Sequence, residues 1–241
     1  MNNKIIYVFL IIVLHSCNMD YKDEFHSNGN LKYRSYKKGK GYDSIISFNK
    51  KGDINWIKKF HNEDSLFLWK FEDKNLLNEG VMYKNEALGL WNFYKNNHLS
   101  IVREYIRIDN HHYLNQAWFF NKNGDTLMNK GSFYNISFND TIKSKTQETI
   151  RFVLENPLAL EEKNEVLLIY EAEFYNDRTN NIEKDKDTII GFRNEILYQV
   201  SFDDPGEFKF KGYILERFQQ ENESRISNHK LYFDKKIKII K

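Results

Sequence analysis

The 241-residue chain predicts an all-β protein: an N-terminal open antiparallel sheet of hairpin repeats, about 23 residues each, followed by a β-sandwich. Three observations carry this. Turn-forming Gly and Asn positions recur at a nearly fixed spacing through the first half. Apolar and polar residues alternate between those turns, as on a strand with one face inward. The second half alternates too, over longer runs and without a helical period. An aromatic fraction of 16% with only two prolines favours an aromatic-rich sheet over a disordered chain. In order, the expected parts are a signal segment over 1–16, a short linker over 17–24, the repeat sheet over 25–136 and the sandwich over 137–241.

Met1 to Lys4 is short and polar with one positive charge, and Ile5 to Leu14 is unbroken apolar sequence. Ten apolar residues are too few for a bilayer core, which takes about 20 in a helix, so the run reads as an export signal. The only cysteine, Cys17, follows at once. Leu14-His15-Ser16-Cys17 resembles the lipobox of bacterial lipoproteins, with His15 an unusual residue at its position. The resemblance implies cleavage before Cys17, a diacylglycerol on its sulfur and acylation of the new amine. Two or more acyl chains anchor stably, at about 0.8 kcal/mol per buried methylene. Acylation also removes a lone thiol from an oxidising compartment. The expected location is the cell envelope, as an outer-membrane lipoprotein. Lys22-Asp23-Glu24 reads either as a solvated linker or, by resemblance, as the surface-export tag of Bacteroidetes lipoproteins.

The repeats align on Gly29, Gly52, Asn75, Asn97 and Gly124, which stand 23, 23, 22 and 27 residues apart. Four residues before each anchor is a phenylalanine: Phe25, Phe48, Phe71, Phe93 and Phe120. Two residues before three of these is a tryptophan: Trp69, Trp91 and Trp118. Two residues after the anchors come Leu31, Ile54, Leu77, Leu99 and Thr126. Gly and Asn are the residues that enter positive φ cheaply, so each unit reads as strand, tight turn, strand. Side by side, the phenylalanines are expected to form a ladder that serves as the core. The units resemble MORN-type repeats in their divergent bacterial form, best over Asn85 to Tyr94, with a second Gly and an aromatic in Gly89-Leu90-Trp91. That resemblance implies an elongated sheet used for binding or scaffolding, occurring in surface lipoproteins and toxin-neutralising proteins, and no shared catalytic residue.

The count fails after Ser132. Alternating runs follow over 149–154, 166–174, 196–202, 207–215 and 231–240, separated by turn signals at Asn156-Pro157, Asn176 to Asp187, Asp203 to Gly206 and Gln219 to Ser227. Several strands in about a hundred residues predict an antiparallel sandwich. Pro205 to Ile214 resembles a late hairpin strand of bacterial immunoglobulin-like domains, launched by a Pro-Gly turn and bent at Gly212. Residues 137–241 carry 17 Lys and Arg against 20 Asp and Glu, and the rest of the chain 19 against 14. With no Pro/Ser-rich linker between the halves, a packed junction is expected.

Chemistry is sparse. The chain lacks G-x-S-x-G, a phosphate-cradling loop and zinc-ligand spacing. His111-His112 reads as a loop pair, and on a strand its members would face opposite ways. Glu161-Glu162 and Asp203-Asp204 read as solvated carboxylates in turns, and Lys37-Lys38-Gly39-Lys40 and Lys235-Lys236 as protection of sheet edges. A net charge of +2, with the charges scattered, gives no footprint for nucleic acid. The expectation is no catalytic residue, no metal and no cofactor. The bilayer is engaged through acylated Cys17, and a protein partner through exposed aromatics among Trp69, Trp91 and Trp118. Function is then that of a membrane-anchored, non-enzymatic binding or scaffolding lipoprotein. The alternatives are a toxin-neutralising protein and a glycan-binding or glycan-processing component of a surface uptake system.

Overall fold

The computed structural model describes residues 20–155, 165–219 and 226–241. The signal segment, Cys17, Asn156-Pro157 and Glu161-Glu162 lie outside the described residues. Every described element is a strand. By internal contacts the chain divides into two units, 1–100 and 101–241. The boundary falls inside a strand, rather than at 136/137 where the repeat count stops.

Nine strands follow one another in a single antiparallel sheet: β1 (Tyr21–Phe25), β2 (Leu31–Lys38), β3 (Gly41–Phe48), β4 (Ile54–Phe60), β5 (Ser65–Glu72), β6 (Asn75–Tyr83), β7 (Glu86–Lys95), β8 (His98–Ile108) and β9 (His111–Phe119). The 17–24 linker is therefore corrected in part, since Lys22-Asp23-Glu24 belongs to β1. Asp23 accepts two hydrogen bonds from Arg34, 2.8 Å from Nε and 2.7 Å from Nη2. That pairing holds its carboxyl below the usual carboxylate range.

Two turn designs recur in the sheet. The loops at 26–30, 49–53 and 121–125 share one hydrogen-bond pattern. In each, the first amide bonds to the fifth carbonyl and the glycine amide bonds to the first carbonyl. Their glycines, Gly29, Gly52 and Gly124, have φ of 83°, 91° and 89°. Around each loop the phenylalanine pairs with the residue six further on: Phe25 with Leu31, Phe48 with Ile54, Phe120 with Thr126. That pairing is the physical content of the sequence register. Four other turns shorten to two residues, both at positive φ: Asp73-Lys74, Lys84-Asn85, Asn96-Asn97 and Asp109-Asn110. These are the dihedral signs of type I′ turns, whose twist matches that of the flanking strands. Asn75, aligned as an anchor, instead opens β6, and the turn lies just before it.

The phenylalanine ladder is not the core. Among residues 20–100 only Ser47, Leu68, Gly80 and Trp91 are buried, and Phe25 is 61% exposed. Register shifts fall at Glu24/Phe25, Ser47/Phe48 and Lys70/Phe71, so a bulge interrupts the alternation as each of these phenylalanines is reached. Phe67 and Trp69 do share a face as expected, with ring centroids 4.4 Å apart.

The core sits in the second unit. A three-stranded sheet, β10 (Phe133–Ser137), β12 (Gln147–Glu155) and β15 (Glu195–Ser201), has the order β10-β12-β15. A five-stranded sheet has the order β11-β17-β16-β13-β14. Its strands are β11 (Thr141–Lys143), β13 (Glu165–Asn176), β14 (Ile182–Ile190), β16 (Gly206–Gln219) and β17 (Ile226–Ile240). Strands distant in sequence thus lie side by side in each sheet, and β11 is added parallel at the β17 edge. Inward residues of both sheets form one cluster. Val166, Leu168, Tyr170, Ala172 and Phe174 on β13 alternate strictly into it. With no cysteine to staple the layers, rings do so. Phe152 meets Phe233 at 5.0 Å and Phe210 at 6.3 Å, edge to face.

Gly212, read from the sequence as a point where the strand bends, is a close approach of two backbones. A Cβ there would lie 2.0 Å from the Ile169 carbonyl oxygen. The run Asn176 to Asp187, read as loop, contains part of β14. Glu183-Lys184-Asp185-Lys186-Asp187 is exposed throughout: β14 is an edge strand paired only with β13, charged along most of its length, with Ile189 near its end packed against the core.

Candidate binding surface

The three repeat tryptophans do not form one exposed patch. Leu68, Gly80 and Trp91 are cross-strand partners and share one face of the sheet. Trp69 pairs with Glu79, and Glu79 with Asn92, on the opposite face. Trp91 is only 6% exposed: its ring lies over Gly80, where a Cβ would sit 2.5 Å from it, and its Nε1 donates to the Val81 carbonyl at 2.8 Å. Trp91 is thus a structural residue, which corrects its place in a binding patch. Trp69 and Trp118 are half-buried, the latter against Phe133 at 5.6 Å.

What the first unit presents is a half-exposed aromatic and aliphatic surface on each side of one layer. On one face Tyr33 and Trp56 approach to 5.8 Å across the buried Ser47, with the Lys58 ammonium 4.8 Å from the Trp56 ring. On the other, Glu79 accepts from Tyr94 Oη at 2.6 Å and Asn92 Nδ2 at 3.2 Å. Burial and the Glu79 contact push the Tyr94 phenol up to about 12.

Within the second unit, β9 is fastened to the sandwich by amides. Asn115, 3% exposed, accepts from the Tyr232 amide at 2.7 Å and donates to its carbonyl at 3.0 Å, pairing like a strand residue. Glu104 accepts from Asn115 at 2.7 Å and Gln116 at 2.8 Å, and Gln116 accepts from the Tyr134 amide at 3.0 Å. The Asn115 and Gln116 amides are bonded through both their oxygen and their nitrogen, which offsets the cost of burying them. The sequence signal is Asn115-Gln116, two adjacent amides set between Tyr113-Leu114 and Ala117-Trp118-Phe119.

Beside this knot lies a cleft of about 800 Å³, with walls that include Ile106, Ile169, Tyr213 and Tyr232. Four cationic and four anionic side chains line it, so it selects no ligand by net charge. Two of its four carboxylates have side-chain partners: Glu104 as above, and Glu171 with Lys186 at 3.2 Å.

Other groups with chemical potential are accounted for by packing. His229 Nδ1 lies 2.7 Å from the buried Glu216 and 3.5 Å from Ser132 Oγ. Both partners approach the same ring nitrogen, so the imidazole cannot pass a proton from serine to carboxylate as a triad does. His111 and His112 open β9 rather than lying in a loop, and His112 stacks on Tyr105 at 5.0 Å. Asp204 pairs with Arg178 at 2.7 Å. Among the described residues no group of three or more His, Cys, Asp or Glu could hold a metal ion, and no helix is long and apolar enough to cross a membrane.

No family model and no curated protein matches the chain. Among solved structures, a superoxide reductase (neelaredoxin) from Ignicoccus hospitalis is similar over 45% of this chain and 82% of that one, at 14% identity and a TM-score of 0.27. A variant of the same reductase covers 44% of this chain and 79% of its own, at 14% identity and a TM-score of 0.26. At these scores nothing passes from the reductase to this chain.

Proposed function

We propose that the protein is a membrane-anchored lipoprotein, held through Cys17, that acts as a non-enzymatic binding or scaffolding module for a protein partner. The observation that carries the binding role is the first unit itself. One sheet layer that buries four residues between 20 and 100 has its aromatic and aliphatic side chains disposed on two faces rather than in a core. The anchor rests on the apolar run and the lipobox-like Leu14-His15-Ser16-Cys17. That Glu104, Glu171 and His229 are each held by neighbouring side chains supports binding over turnover.

Fractionation tests the anchor: wild type is expected with membranes, and Cys17→Ser in the soluble fraction with an unchanged β-sheet spectrum. A hydrolase panel tests the other half. Robust turnover abolished by one point change within the cleft would overturn the non-enzymatic reading. Cross-linking on intact envelopes, compared between wild type and Trp69→Ala, tests the partner. Loss of one defined adduct is expected, and an identical adduct pattern would contradict a role for this face.

A further inference from the structure

The anchor, if it is Cys17, dictates which part of the first unit meets the membrane. Cys17 is three residues before Asp20. At about 3.6 Å per residue, its sulfur carrier cannot be more than roughly 11 Å from the point where the sheet begins. That point is one corner of the nine-stranded sheet. The Lys37 amide donates to the Asp20 carbonyl at 2.8 Å, extending the β1–β2 pairing by one residue. Tyr21 pairs with Tyr36, Lys37 with Tyr42 and Lys38 with Gly41. The β2–β3 hairpin therefore sits directly beside the start of β1.

The corner is built mainly of exposed lysines and tyrosines. Lys37, Lys38 and Lys40 are all exposed, and Tyr21 and Tyr42 are 54% and 47% exposed. Asp20 offsets one charge, 3.5 Å from Lys37. Exposed tyrosines with lysines beside them are what a headgroup layer favours: the ring sits at the polar–apolar boundary and the ammonium among phosphates. The lysines at the far ends of the same strands, Lys50 and Lys51, are separated from this corner by the eight residues of β3. At ~3.4 Å per residue that is roughly 27 Å, several Debye lengths away.

We infer that this corner, formed by Asp20-Tyr21 and the Lys37–Tyr42 hairpin, is a membrane-seating surface that rests on anionic lipid headgroups and holds the sheet by one corner, leaving the opposite turns outward. The inference rests on the lipoprotein reading and adds an orientation to it. It also gives the Lys37-Lys38-Gly39-Lys40 run a role beyond edge protection.

The test is lysine footprinting of the full protein purified from its own membranes. The protein is reconstituted in phosphatidylglycerol/phosphatidylcholine vesicles or held in detergent, treated with an amine-acetylating ester and mapped by mass spectrometry. Each lysine seated on anionic lipid is favoured about fivefold, so acetylation of Lys37, Lys38 and Lys40 is expected to slow by about that factor on vesicles. Lys50 and Lys51 should be unchanged. On purely phosphatidylcholine vesicles most of the protection should vanish, and equal protection there would contradict the charge argument. Equal labelling of all five lysines on protein that carries an acyl mass on Cys17 would overturn the orientation while leaving the anchor standing. Absence of any acyl mass on Cys17 would overturn both.

Discussion

Replacing Gly212 with alanine probes how the sandwich is held, because its cost can be worked from the backbone alone. The new Cβ would lie 2.0 Å from the Ile169 carbonyl oxygen and 2.8 Å from the Tyr170 Cα. Both are main-chain atoms of β13, so no side chain can rotate away. To restore an ordinary contact, β16 must part from β13 by about 1.4 Å at the Tyr170–Gly212 pair, a strain typical of overpacking at ~1–3 kcal/mol. Two ladder hydrogen bonds beside that pair would stretch, at about 1 kcal/mol each. The sum is about 3–5 kcal/mol, and for a unit of this size it lowers Tm by roughly 10–20 °C. Gly124→Ala is the control. Its φ is +89° with no atom within 4 Å of a Cβ, so only the backbone term of about 1–2 kcal/mol applies. Near-UV circular dichroism during heating reports on the ring cluster of Phe152, Phe210 and Phe233. A Gly212→Ala transition within about 3 °C of wild type, or a smaller loss than Gly124→Ala gives, would refute this reasoning.

Phe152→Ala empties the centre of the sandwich, where the ring is fully buried, and should cost about 3–5 kcal/mol in urea unfolding. Gly80→Ala pushes the Trp91 ring off the sheet by overpacking, and a red shift of tryptophan emission with about 1–3 kcal/mol of lost stability is expected. Asn115→Leu leaves the Tyr232 amide and carbonyl and the Glu104 carboxylate short of partners; the loss should be at least about 2 kcal/mol, read by faster amide exchange along β17. Alkali should unfold the protein through its tyrosines. Tyr94 rises from 10.0 to about 12, and burial raises Tyr134 and Tyr170 as well. A raised folded value means the folded state keeps its proton longer. Stability is therefore whole below pH 10 and falls as pH climbs toward 12 and beyond, which urea midpoints between pH 8 and 12 would show.

The sequence carried the strands of both units further than it carried their burial. The Phe-to-anchor register was legible because three loops repeat one five-residue turn, and spacing is what a turn conserves. That the phenylalanines are not a core was illegible: the bulges at Phe25, Phe48 and Phe71 depend on how neighbouring strands pair, and a lone strand gives no sign of a bulge. In the sandwich, β13 and β16 were plain because every second residue is apolar. β14 was hidden because an edge strand of alternating charges resembles a loop. For the candidate surface, Trp69 and Trp91 looked equivalent by offset from their phenylalanines. The structure separates them, because Gly80 leaves space that only the Trp91 ring fills. The Glu104, Asn115 and Gln116 knot needed partners from β10 and β17, more than a hundred residues away in the case of Tyr232, and no local pattern announces such a pairing.

The proposed anchoring through the one cysteine is tested most directly by the intact mass of the protein extracted from membranes. A polypeptide beginning at Cys17 with the added mass of a diacylglycerol and a further acyl chain is expected. An uncut chain, or a chain whose Cys17 is a free thiol, would contradict it.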